Sequence, residues 1–189
     1  MDLEGALKEN EQRLPVRVMF QDEARFGRLS NPQRCWVPKP IRPLATQGVV
    51  REYTCAYAAV SPEDGCLDWM MALTMRTPEA GDFLEAVADN HSRESVLMVW
   101  DRAPSHRSGE LHVPDKMALV RLPPYAPELN PVEHLWDEVR EKRFANRVFA
   151  SLDAVSAQAS AALTGWADSP DAVRPLTGWP WIIASTRSS

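Results

Sequence analysis

Fifteen residues, Leu122-Pro123-Pro124-Tyr125-Ala126-Pro127-Glu128-Leu129-Asn130-Pro131-Val132-Glu133-His134-Leu135-Trp136, constrain this chain more than any other stretch. Pro123, Pro124 and Pro127 hold the backbone in extended and turn conformations, so no regular element crosses them. Asn130 then reads as a helix N-cap with Pro131 at the first helical position. Val132, Leu135, Trp136 and Val139 recur at helical spacing and form the buried stripe. Glu133 falls in the first turn beside that stripe. Two readings of it stand together: a capping-box glutamate three residues after the cap, or a carboxylate held at a fixed place for chemistry.

Two aspartates upstream favour the second reading. Asp22 closes the run Val16-Arg17-Val18-Met19-Phe20-Gln21, and Asp101 closes Val96-Leu97-Met98-Val99-Trp100. Two carboxylates at strand ends and one at a helix start suit a divalent-metal site, since hard cations take oxygen ligands and two-metal phosphoryl-transfer sites are built from convergent Asp and Glu.

Three blocks carry a family resemblance. They are Gln21-Asp22-Glu23-Ala24-Arg25-Phe26-Gly27, then Trp100-Asp101-Arg102-Ala103-Pro104-Ser105-His106-Arg107-Ser108, then Pro124 to Trp136. In order and spacing the sequence resembles the DDE transposases, in the bacterial insertion-sequence branch of the Tc/mariner superfamily, from about Val16 to about Trp181. The third block is the most specific of the three. Two departures are visible. Arg102 follows Asp101 where the family commonly has a small residue or Asn, and 32 positions separate Asp101 from Glu133, a few fewer than is usual. The shortening is expected in the loop before the last strand.

The resemblance implies a ribonuclease-H-like α/β fold, a mixed five-stranded sheet flanked by helices. It places Asp22 on the first strand, Asp101 at the end of the fourth and Glu133 on a following helix, as catalytic residues and metal ligands. The implied cofactor is two Mg²⁺ ions, for which Mn²⁺ substitutes. Asp22 bridges them, and the implied reaction is in-line phosphoryl transfer. The implied activity is DNA strand cleavage and strand transfer in cut-and-paste transposition. Partners follow: transposon ends, a target at TA, and a second copy of the chain on DNA. The family's upstream helix-turn-helix region is expected to be absent from this chain, because about fifteen residues precede the first strand.

Composition sets outer bounds. With 189 residues, 44% hydrophobic and 25% charged, the chain suits one soluble domain. Residues 1–15 read as a tail or linker, 16–183 as the catalytic domain and 184–189 as a frayed end. No apolar run approaches a membrane-spanning length, and Met1–Lys8 lacks a signal-peptide design. Cys35, Cys55 and Cys66 are odd in number and lack paired metal-site spacing, which suggests reduced thiols and a cytoplasmic protein, nucleoid-associated when on DNA. Net charge is −5, yet residues 21–60 carry a net of +3 and residues 61–95 a net of −6. One basic face is compatible with DNA. Arg25, Arg28, Arg102, His106 and Arg107 are the candidate DNA contacts, with solvated surface the plain alternative.

In order, strands are expected at Val16–Gln21, Cys35–Val37, Glu52–Val60, Cys66–Met75, Val96–Trp100 and Met117–Leu122. Ser61–Gly65 reads as a hairpin turn. Helices are expected from Thr77 as cap toward Asn90, from Pro131 to about Phe144, and from a Ser151 cap through Trp166. The apolar tail Gly178–Ile183 is expected to dock on the domain.

Competing chemistries are weaker. Glu23 should point to the opposite side of an extended chain from Asp22. Ser105-His106 with an aspartate invites a Ser/His/Asp reading, but no nucleophile-elbow glycine pattern surrounds Ser105. Glu128 precedes the Asn130 cap on a turn facing water. Besides an active transposase domain, two alternatives remain: a remnant that only binds DNA or a partner, and a structure-specific nuclease on the same fold.

Overall fold

Runs of β-branched, aromatic and small residues build a sheet whose two faces are both covered. The computed structural model describes residues 14–28, 36–41, 50–101, 111–124 and 126–187, with the backbone alone of Arg187. Strand β1 (Val16–Gly27) pairs antiparallel with β2 (Tyr53–Val60), and β2 with β3 (Leu67–Ala72). On its other flank β1 pairs parallel with β4 (Ser95–Trp100), and β4 with β5 (Met117–Arg121). The order is β3-β2-β1-β4-β5, the mixed five-stranded arrangement expected of a ribonuclease-H-like domain.

Side-chain alternation sorts the sheet into two cores. Helix α1 (Thr77–Asn90) brings Phe83, Leu84 and Val87 onto Met19, Tyr57, Ala59, Met98 and Trp100. The opposite face, with Phe20, Ala24, Phe26, Ala58 and Val99, is covered by α2 (Val132–Val139), α3 (Leu152–Ala167), α4 (Pro170–Thr177) and α5 (Pro180–Arg187). Ser151 caps α3 as expected, its Oγ accepting from Ala154 N at 3.2 Å. The chain after α2 widens into one π-helical turn, Arg140–Phe144. Phe144 stacks there on Phe26 with ring centroids 4.8 Å apart.

Several elements differ from the sequence reading. β1 does not stop at Gln21 but runs through Gly27, because β2 pairs with it over Phe20–Gly27. Asp22 therefore lies inside a strand, opposite Ala58. Trp36 and Val37 are not in a strand, and Cys35 lies outside the described residues. Thr77 is the first residue of α1 rather than its cap; Arg76 takes the cap position with no side-chain bond, while Thr74 Oγ1 donates to the Glu79 carboxylate. Helix α5 runs to Arg187, past the point where a frayed end was expected. Ser185 Oγ donates to Trp181 O at 2.8 Å and Thr186 Oγ1 to Ile183 O at 3.2 Å. Ile182 is buried, so the apolar tail does dock.

The Ser61–Gly65 turn forms as expected, with Gly65 N donating to Ser61 O at 2.8 Å. Gly65 has φ +77°, and a Cβ there would lie 2.2 Å from Pro170 O. Glycine thus lets the hairpin seat against α4.

Candidate active site: three carboxylates on one face of the sheet

The β1–β4 pairing ends at Phe20↔Val99. Both residues face the α2 side of the sheet. Two positions further along each chain come Asp22 and Asp101, so the same alternation directs both to that side. β1 continues past this point with β2 as its partner, and Asp101 follows the last residue of β4.

Glu133 arrives from above on α2. Asn130 is extended (φ −98°, ψ 106°) and Pro131 is already helical (φ −66°, ψ −17°). Asn130 Oδ1 accepts from Val132 N at 3.2 Å, which caps the helix as expected. The other end of the same amide does something the sequence did not reveal. Asn130 Nδ2 donates to the backbone oxygen of Gln21 at 2.9 Å, pinning the start of α2 to the residue before Asp22. The Asn130 amide N–H donates to Pro127 O at 2.9 Å. It is thereby satisfied, and the capping-box reading of Glu133 does not hold. Val132, Leu135, Trp136 and Val139 are completely buried, which locks the orientation of α2.

Trp136 supplies the second tie. Its indole Nε1 donates to Asp22 Oδ2 at 3.0 Å within the core. The residue was expected only as packing. A buried tryptophan N–H needs an acceptor, and that requirement is the one sequence signal pointing toward a polar partner.

The electrostatics fit a cation site. Asp22 is 8% exposed. Its carboxyl is held well above the ordinary range by burial first, then by the charges of Glu133, Glu23 and Asp101, with the Glu23 backbone N–H opposing. Glu133 is also raised, chiefly by burial, with Asp137 and Asp101 adding and Arg140 and His134 opposing. The charges of Glu133 and Asp101 thus make ionisation of Asp22 harder, that of Asp101 does the same to Glu133, and a bound dication would relieve the repulsion.

Other candidates separate cleanly. Glu23 lies opposite Tyr57 and pushes that phenol upward, after burial and before Glu79, so it belongs to the α1 face. Glu128 is exposed on the 3₁₀ turn Pro127–Leu129. Arg25 is exposed and sits over the Tyr53 ring, 4.9 Å from its centroid. Arg28 is tied down instead. Its Nε donates to Phe149 O at 3.2 Å, Nη1 to Glu52 Oε2 at 2.8 Å and Nη2 to Ala150 O at 2.6 Å. Arg102, His106 and Arg107 lie outside the described residues.

A mixed five-stranded sheet of this order, flanked by helices on both faces, is the architecture of a DDE transposase catalytic domain. The chain belongs to the DDE superfamily endonucleases, whose family model matches residues 17–156. Among curated proteins it is similar to the uncharacterized protein y4pE/y4sA of Sinorhizobium fredii, 38% identical over 75 residues that span 40% of this chain and 56% of that protein.

Among solved structures it is similar to a pre-cleavage Mos1 transpososome, with TM-score 0.60 and 13% identity over 90% of this chain and 56% of that one. It is likewise similar to the mariner Mos1 paired end complex with Mg, with TM-score 0.60 and 14% identity over 85% and 53%. At these identities the likeness is one of fold. The chain spans a little over half the length of the relatives it matches.

Proposed function

We propose that this domain cleaves and joins DNA strands, with Asp22, Asp101 and Glu133 as the ligands of two Mg²⁺ ions. The observation that carries the reading is the convergence of these carboxylates on one sheet face, with Asp22 buried and raised by the charges of the other two. The donor set is all oxygen, which fits Mg²⁺ or Mn²⁺. Cations bound there supply activation of an attacking water or 3′-hydroxyl and stabilisation of the leaving oxygen.

The protein's own part is positioning. Trp136 fixes the rotamer of Asp22 through its bond to Oδ2. Asn130 sets the height of α2 above β1 and hence the reach of Glu133. Burial by Val132, Leu135 and Trp136 keeps that helix from rolling. A site of this kind must hold its ligands to within roughly 0.5 Å.

The finer reading follows the insertion-sequence branch of the Tc/mariner superfamily: cut-and-paste transposition with a TA target and a dimer assembled on DNA. Residues 16–183 form the catalytic domain in this proposal, and recognition of specific ends belongs to a helix-turn-helix region outside it. Arg25, Arg102, His106 and Arg107 are proposed to meet DNA, while Arg28 is proposed to hold β1 to the segment before α3. No described helix is long and apolar enough to cross a membrane, and a cytoplasmic site of action is part of the proposal.

A gel assay with Mg²⁺ and a labelled 3′-hydroxyl donor tests it. Strand transfer that disappears in Asp101→Asn supports the reading. Cleavage with no joining points to a structure-specific nuclease, and neither activity in the presence of Mg²⁺ or Mn²⁺ sinks the proposal.

A further inference from the structure

A different cluster of metal-type donors lies on the far side of the sheet. The ligand atoms of Cys66, Asp68 and His91 all fall within 4.8 Å of one another. Asp68 pairs with Ala59, which packs on the α1 face, so this cluster is on the face opposite Asp22. Cys66 immediately precedes the edge strand β3, and His91 immediately follows α1. All three are partly buried.

The surroundings orient each donor. Asn90 Nδ2 donates to Asp68 Oδ1 at 2.8 Å, leaving Oδ2 directed at His91 Nε2, 2.6 Å away. The other ring nitrogen, His91 Nδ1, lies 3.3 Å from Glu94 Oε2, and Arg17 Nε holds that same oxygen at 2.6 Å. An imidazole with one nitrogen on a ligand position and the other on a carboxylate is the usual setting of a metal-bound histidine.

The donor types decide the metal. One thiol, one imidazole and one carboxylate suit a borderline dication of the zinc kind, and a thiol does not suit Mg²⁺. Burial, then the charge of Asp68, pushes the Cys66 thiol up to about 11, so the sulfur stays protonated unless a cation is close. Tetrahedral bonds of about 2.0–2.3 Å put neighbouring ligand atoms roughly 3.3–3.8 Å apart. The ligand atoms lie within 4.8 Å of one another, and the His91–Asp68 pair, at 2.6 Å, has to open by about 0.7 Å on the same geometry.

We propose that Cys66, Asp68 and His91 form a zinc-type metal site, separate from the three carboxylates, with water as the fourth ligand. Binding displaces the Cys66 thiol proton to solvent, while Nδ1 of His91 keeps a proton facing Glu94. The bound ion clips the start of the edge strand β3 to the end of α1. Without it the same groups form a polar network running Arg17–Glu94–His91–Asp68.

The test uses the reduced full chain, in wild-type and Asp101→Asn backgrounds, with Zn²⁺ titrated against a chromophoric chelator in excess Mg²⁺. Co²⁺ serves as the spectroscopic probe. The expected result is one Zn²⁺ per chain in both backgrounds and a thiolate-to-cobalt charge-transfer band. Affinity should fall at least tenfold in Cys66→Ser and in His91→Gln, and about tenfold in Glu94→Gln, the loss typical of an outer partner. Circular dichroism checks that each variant folds, and Cys66→Ala replaces any serine variant that does not. Unchanged zinc affinity in the cysteine variants, absence of the charge-transfer band, or loss of binding on Asp101→Asn overturns the proposal. None of these results depends on DNA activity, so the catalytic reading stands or falls separately.

Discussion

The indole N–H of Trp136 and the carboxylate of Asp22, 114 positions apart in sequence, meet in a buried hydrogen bond of 3.0 Å. It joins the covering helix to the central strand at the most deeply buried of the three clustered carboxylates. Trp136→Phe keeps most of the ring volume and removes the donor. We expect the Mg²⁺ concentration for half-maximal strand transfer to rise about 10–100-fold. Stability should fall by about 1–3 kcal/mol, because a buried acceptor loses its partner. An unchanged metal requirement in the variant would show that the bond does not orient Asp22.

Asn130 separates two roles that one residue combines. Asn130→Ala removes both the helix cap and the bond to Gln21 O, and should cost about 2–3 kcal/mol in denaturant unfolding. Asn130→Asp preserves the cap acceptor but turns a carboxylate oxygen toward the Gln21 carbonyl. It should also destabilise the protein. If Asp proves neutral there, the bond across to β1 contributes nothing and capping is the whole role.

Glu133 and Glu128 lie five positions apart and differ in environment. Glu133→Gln should abolish metal-dependent strand transfer with the fold intact, since it removes a charge from the cluster. Glu128→Gln changes an exposed turn and should retain most activity. The reverse pattern in a side-by-side assay would move the third ligand and shift the register of the family match.

The same cluster predicts a pH dependence. Asp22 and Glu133 both have folded-state values raised above their unfolded ones. Each binds its proton more tightly when folded. Its contribution to stability is therefore full below the ordinary carboxylate range, and is lost as pH rises through the raised folded-state values. Metal-free protein should gain from these groups on acidification from neutral pH toward about pH 5, above the usual carboxylate values. Asp22→Asn should flatten that slope and raise Tm at pH 7. Mg²⁺ should raise the Tm of the wild type but not of Asp101→Asn, and matched sodium chloride should raise neither. Equal slopes in wild type and Asp22→Asn would contradict the electrostatic account.

Much of this arrangement is legible in the residues. The continuous apolar run Val96–Trp100 gives a strand buried on both faces, Asn130-Pro131 gives a helix start, and Ser61–Gly65 gives a hairpin. What sequence hides is tertiary. The charges of Asp22, Glu23 and Arg25 disguise the second half of β1, because β2 and not an apolar pattern keeps it extended. Helix α4 carries a proline inside it, Pro175, which conceals it. Its start signal, Ser169 followed by Pro170, is short and easily taken for a turn. Arg28 looks like a free cation until Glu52, Phe149 and Ala150 close around it. No local pattern could have paired Trp136 with Asp22, because the acceptor comes from the opposite end of the domain.

The parting of β1 from β4 after Phe20 and Val99 also has an evolutionary reading. The seven residues Gln21–Gly27 form an arm braced by β2 and by the Asn130 and Trp136 bonds. The positions of Asp22 and Glu133 are thus set by contacts among β1, β2 and α2. Descendants of one ancestral domain could remodel the rim of the site without rebuilding its centre.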